Sequence, residues 1–212
     1  MRQRLGQSDP LIRLENACFF ILAHTGLRAS ECIDLQLQDL DLAGRRLIVR
    51  QGKGQRDRVV YLSETAQQAL ANYLGPDKRS PAMPLFRQPN GRPIYYVWLY
   101  EHIVALGRAA GQIEVTPHRL RHTLATRLLN AGLNVTHIQK ILGHDHLSPT
   151  MISARLLDTT LEADYRQAMR HIEGQHLPLS RTPELVPNWP LPQTTAPSTQ
   201  FELVQMEFDN FV

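Results

Sequence analysis

Apolar positions along the first part of the chain recur at helical spacing. Leu11, Leu14, Ala17, Cys18, Ile21 and Leu22 repeat every three to four residues, the period of one helix face. Ser8-Asp9-Pro10 gives that helix a start and Thr25-Gly26 a stop, because Gly enters the left-handed C-terminal conformation without a Cβ penalty. Leu27 follows in a tight turn into a second helix through Leu35, with Arg28 at its start and Glu31 three residues on. That pair reads either as an ordinary surface ion pair or as Glu31 bonding the backbone. Leu47, Val49, Val59 and Tyr61 then mark two short β-prone runs, which predicts a hairpin with Gly52-Lys53-Gly54 near its tip.

The second half is read as helices set off by caps. Ser63 opens a helix to about Leu74, and a loop over 75–84 and the turn Pro89-Asn90-Gly91 lead to a helix over about 95–110. Tyr95, Tyr96, Trp98 and Tyr100 cluster near its start and are assigned mostly to core packing, not to base stacking. Thr116-Pro117 is an N-cap followed by a first-turn proline, and Asn134 caps a short helix through Val135, Ile138, Ile141 and Leu142 that ends at Gly143. Ser148-Pro149-Thr150 starts another, through Leu157, and Thr159 with Glu162 forms a capping box for a last helix through Ala168. The sum is a mainly α chain with a small antiparallel β-sheet.

Composition changes this picture chiefly at the C-terminus. The 212 residues suit one substantial domain, expected over 1–173, followed by a tail over 174–212. Six of the 14 prolines fall in that tail, so it is expected to be extended and poorly ordered by itself, with its last residues, Phe201 to Phe208, available to dock on a partner surface. The tail holds Arg181 against Glu184, Glu202, Glu207 and Asp209, while the whole chain is +3, which leaves the body mildly basic and compatible with a polyanion. Cys18 and Cys32 offer no disulfide framework. The most apolar run, from Ala17 to Ala23, is too short to cross a bilayer, and the expectation is a soluble cytoplasmic protein with no membrane partner.

The candidate chemistry gathers around Thr116. His118 and Arg121 lie three apart at a helix N-terminus, so imidazole and guanidinium share a face where the helix dipole favours an anion, and a phosphate fits. Gly52-Lys53-Gly54 lacks the spacing of a P-loop, but Arg56 and Arg58 beside it make a nucleic-acid backbone a target. The histidines show no metal-ligand spacing.

Thr25-Gly26-Leu27-Arg28-Ala29-Ser30-Glu31, Gly52-Lys53-Gly54, His118-Arg119-Leu120-Arg121-His122 and Leu142-Gly143-His144, in this order, resemble the catalytic domain of the tyrosine recombinases, the phage integrase family. The resemblance covers about 11–169 and implies a site-specific recombinase domain of that fold, acting on double-stranded DNA as a tetramer and without a cofactor. It implies that Arg28 and Arg121 hold the nonbridging oxygens of the scissile phosphate. Lys53 is then the general acid for the leaving 5′-hydroxyl, His118 a general base, His144 a phosphate hydrogen-bond donor, and Glu31 the residue that orients Arg28.

The departure is at the nucleophile. Family members carry the attacking tyrosine nine residues past Leu-Gly-His, and this chain has Ser153 there. Serine is shorter and far harder to ionise than tyrosine, so loss of cleavage is expected. Tyr165, twelve residues further on, is not expected to replace it. Family members also carry an N-terminal core-binding domain, and this chain starts close to the first buried helix of the catalytic domain, so a fragment or stand-alone remnant is expected. The other functional readings are a noncatalytic DNA-binding or regulatory module and a metal-dependent nuclease, which would need carboxylates among these basic groups.

Overall fold

The helix that organises the fold, α1 (Pro10–Thr25), is set by its two ends. Asp9 accepts the Leu11 N–H at 2.8 Å, Pro10 occupies the first turn, and Gly26 closes the helix at φ 66° with its N–H on the Leu22 carbonyl. From Ala17 to Thr25 every residue is buried. A helix apolar on all sides must be surrounded, and α3 (Glu64–Leu74), α4 (Tyr96–Ala109) and α5 (Pro117–Asn130) pack around it. The computed structural model describes residues 9–50, 57–76, 79–112, 114–143 and 159–174.

After α1 come the short α2 (Ala29–Asp34), a single 3₁₀ turn at Leu37–Asp39 and a three-stranded antiparallel sheet. Its strands are β1 (Leu40–Asp41), β2 (Arg46–Val49) and β3 (Arg58–Tyr61), in spatial order β1-β2-β3. Leu47 faces Val60 and Val49 faces Arg58, so Leu47, Val49 and Val60 turn into the core while Ile48 stays exposed. The hairpin is as expected, and its tip at 51–56, with Lys53, lies outside the described residues. The 3₁₀ turn and β1 are not anticipated by periodicity, since both are too short to show one.

Two hydrophobic clusters meet along α5. One joins α1 to α2, the sheet, α3 and α4 through Phe19, Leu22, Leu47, Leu70, Leu99 and Leu120. The other joins α5 to α6 (Val135–Leu142) and α7 (Thr159–Gly174) through Leu124, Leu128, Ile141, Leu142, Tyr165 and Met169. Ser63, Thr116 and Asn134 cap α3, α5 and α6 by accepting the N–H groups of Ala66, Arg119 and Thr136. The helix expected over 148–157 lies outside the described residues, and α7 runs to Gly174, beyond the expected end near Ala168. Among the described residues no helix is long and apolar enough to cross a membrane.

Candidate functional site

The starts of α2, α4 and α5 converge on one cleft, and the end of α6 is bonded to two of its arginines. Arg28 is the residue before α2, extended at φ −68° and ψ 152°. Its backbone N–H donates to Glu31 Oε2 at 2.7 Å, while its guanidinium donates to Glu31 Oε1 and to the Gly143 carbonyl, each at 3.1 Å. Both readings of the Arg28/Glu31 spacing are therefore present at once. The Arg28 side chain is 43% exposed, which leaves it open to a ligand.

Arg121 sits on the inner side of α5 in its second turn and is only 9% exposed. Its guanidinium donates to the Gly26 carbonyl at 2.5 Å and the Leu142 carbonyl at 2.7 Å. Burial, joined by the charges of Arg28 and Arg58 and opposed by Glu31, lowers its pKa to about 10. It stays charged at neutral pH, held in place by backbone carbonyls, with no carboxylate of its own among the described residues.

Glycine makes this convergence possible at two points. Gly26 has φ 66°, and a Cβ there would lie 2.5 Å from Leu142 Cδ2. Gly143 ends α6 at φ 68°, and a Cβ there would lie 2.8 Å from the Arg58 Cζ. Both positions need the left-handed conformation and close approach together.

His118, in the first turn of α5, is exposed and makes no hydrogen bond among the described residues. It lines a cleft of about 430 Å³ with Arg28, Ser30, Tyr96, Tyr100 and Arg121. Lys53, His144 and Ser153 lie outside the described residues, so three of the six expected site residues, Arg28, His118 and Arg121, are seen together here. Among the described residues no group of His, Cys, Asp and Glu side chains could hold a metal ion.

Two sequence readings are corrected. Arg58 is not a backbone-seeking surface cation: its side chain is 11% exposed and donates to both Glu31 oxygens, at 2.7 and 2.8 Å. Burial alone would raise the Glu31 pKa, but hydrogen bonds from Arg58 and the Arg28 backbone, with both arginine charges, hold it below the ordinary value of 4.5. Of the aromatic cluster, only Trp98 is in the core, while Tyr95, Tyr96 and Tyr100 are exposed. Tyr96 and Tyr100, one turn apart, stack with ring centroids 6.4 Å apart where the buried stripe of α4 reaches the cleft. Periodicity finds the stripe but not where along the helix the core stops.

Tyr165 is fully buried and donates its hydroxyl to the His24 carbonyl at 2.7 Å. Burial, helped by the nearby Glu173 charge, pushes its pKa well above the ordinary phenol value, so it belongs to the core.

Both the sequence and the fold resemble those of known proteins. The phage integrase family description matches residues 7–159. The tyrosine recombinase XerC of Oceanobacillus iheyensis is 33% identical over 180 residues, 79% of this chain and 57% of that protein. The chain spans about half the length of the curated relatives it matches. The crystal structure of XerA recombinase superposes with a TM-score of 0.58 at 30% identity, covering 84% of this chain and 65% of the other. The Tn1549 transposon integrase in complex with circular intermediate DNA gives 0.53 at 26% identity, covering 80% and 62%.

Proposed function

The chain belongs to the phage integrase family, and from that membership we propose that its cleft grips one phosphate of duplex DNA as the strand-exchange site of a tyrosine recombinase. The observation that carries this is the meeting of Arg28, Arg121 and His118, from separate parts of the sequence, on one cleft. Two guanidiniums with few local carboxylates suit the charge that grows on the nonbridging oxygens during attack at phosphorus. Arg121 is the fixed member and Arg28 the exposed one, so the first sets the position and the second closes on the ligand.

In this reading the nucleophile's oxygen forms a bond to phosphorus as the bond to the 5′-oxygen breaks. The nucleophile's proton goes to a base, for which His118 is placed at the rim, and the departing oxygen takes a proton from Lys53. His144 donates to a nonbridging oxygen. The nucleophile position holds Ser153. With serine at the tyrosine position and Tyr165 committed to the core, no tyrosine downstream of Leu-Gly-His is open to attack, and the chain binds DNA without cutting it. That favours a second reading, a noncatalytic DNA-binding or regulatory member of a recombinase assembly, built on a homo-oligomer on DNA.

The two separate in one experiment. The full chain and its Ser153→Tyr variant are mixed with supercoiled DNA carrying the segments that flank the gene, and SDS-resistant protein–DNA adducts are counted. The expected result is an adduct with the variant alone. An adduct of equal yield with the unaltered chain would overturn the assignment of Ser153 as the disabling residue. DNA binding by both without an adduct selects the noncatalytic reading.

A further inference from the structure

Three successive carbonyls at the end of α6 each accept a guanidinium N–H from a different arginine. Arg58 Nε donates to the Ile141 carbonyl at 3.4 Å, Arg121 to Leu142 at 2.7 Å and Arg28 to Gly143 at 3.1 Å. The last carbonyls of a helix have no partners within it and carry its negative dipole end. Here that end, with the carboxylate of Glu31, holds three cations close enough for Arg28 and Arg58 to help depress the Arg121 pKa.

The geometry points to Arg58 as a positioning residue that ties β3 to Glu31 and to the end of α6, and so fixes the spacing of Arg28 and Arg121. This deepens the phosphate-site reading and rests on it for its purpose. Arg58 spends its terminal nitrogens on both Glu31 oxygens, which leaves the carboxylate a fixed acceptor for the backbone and side chain of Arg28. Its third donor reaches the helix that Arg121 also grips. Gly143 leaves no room for a Cβ beside the Arg58 guanidinium, so the fork and the helix end are fitted to each other. Lysine could supply the charge but not the planar fork.

The test uses the isotopically labelled full chain and its Arg58→Met and Arg58→Lys variants. Side-chain Nε–Hε resonances of Arg28 and Arg121, and the Cδ titration of Glu31, are read without ligand, with thermal unfolding as the control for folding. In Arg58→Met, Glu31 is expected to titrate at higher pH, while the Arg28 and Arg121 resonances move although unfolding stays cooperative. Arg58→Lys should bring Glu31 part of the way back and leave the two arginines displaced. Unchanged Arg28 and Arg121 resonances in a folded Arg58→Met overturn the proposal; if that variant does not fold, unchanged resonances in Arg58→Lys do so. Inorganic phosphate is then titrated. It should move Arg28 and Arg121 together in the unaltered chain, with affinity about tenfold weaker in the folded variant, a difference of about 1.4 kcal/mol. If phosphate moves neither in the unaltered chain, the phosphate reading fails, while the positioning role is still decided by the ligand-free spectra.

Discussion

The floor and the rim of the cleft are built on opposite terms. On the floor Arg121 lines the cleft, and the Arg58–Glu31 pair that braces Arg28 lies behind it; all three are about a tenth exposed and bonded from several elements. On the rim, His118, Tyr96 and Tyr100 are exposed, and the histidine has no hydrogen bond among the described residues. Charges fixed before a ligand arrives cost nothing to arrange when it does, whereas a group that must exchange a proton needs access. The difference predicts that floor substitutions damage fold and binding together, and rim substitutions damage chemistry alone.

The strongest challenge to that division is Arg121→Met. It removes the donors to the Gly26 and Leu142 carbonyls, and two buried acceptors left unpaired should destabilise the domain by roughly 2–4 kcal/mol. Urea unfolding measures this, and DNA binding should fall with it. A variant as stable as the parent would show that the carbonyls find other partners and that the floor is not fixed by this residue.

Glu31→Gln comes next, at about 2 kcal/mol near neutral pH, because Arg58 and Arg28 lose their shared anion at a site that is not fully closed. The pH dependence follows from the Glu31 pKa, which is lowered in the folded chain from an ordinary value of 4.5. The folded state favours the carboxylate, so its contribution is present above pH 4.5 and is lost as pH falls through the folded pKa. Unfolding curves of parent and variant should therefore draw together below about pH 4.5 and stay apart above it.

Much of the frame was legible because it is local. Asp9, Ser63, Thr116 and Asn134 each cap the helix their sequence announces, and Gly26 and Gly143 end helices where expected. Arg28, His118 and Arg121 came from ordered motifs, and the cleft does bring them together. The role of Arg58 is not legible in the same way, since a charge at a strand start looks solvated in sequence and its partner is 27 residues away. The three carbonyls of α6 could not be foreseen at all, because backbone acceptors leave no mark in the sequence.

A smaller effect bears on Tyr165, which the core claims completely. Tyr165→Phe keeps the ring beside Tyr61 and removes the hydroxyl that bonds the His24 carbonyl and meets the Ser63 backbone, so it should cost about 1 kcal/mol in unfolding. In the Ser153→Tyr background the yield of DNA adduct should not change. A lost adduct would make Tyr165 part of the chemistry in spite of its burial.

The rim is tested most sharply where stability should hardly move. His118→Asn alters an exposed side chain that holds no bond among the described residues, while Thr116 and Pro117 continue to start α5. Its unfolding free energy should stay within about 0.5 kcal/mol of the parent. In the Ser153→Tyr background, loss of an imidazole that takes a proton during attack should slow adduct formation by about a hundredfold or more. Binding to the same DNA should change far less, because Arg28 and Arg121 remain. If instead His118→Asn weakened binding and left the rate of adduct formation alone, the imidazole would be a phosphate ligand like Arg28 and Arg121, and the boundary between floor and rim would have to be drawn outside it.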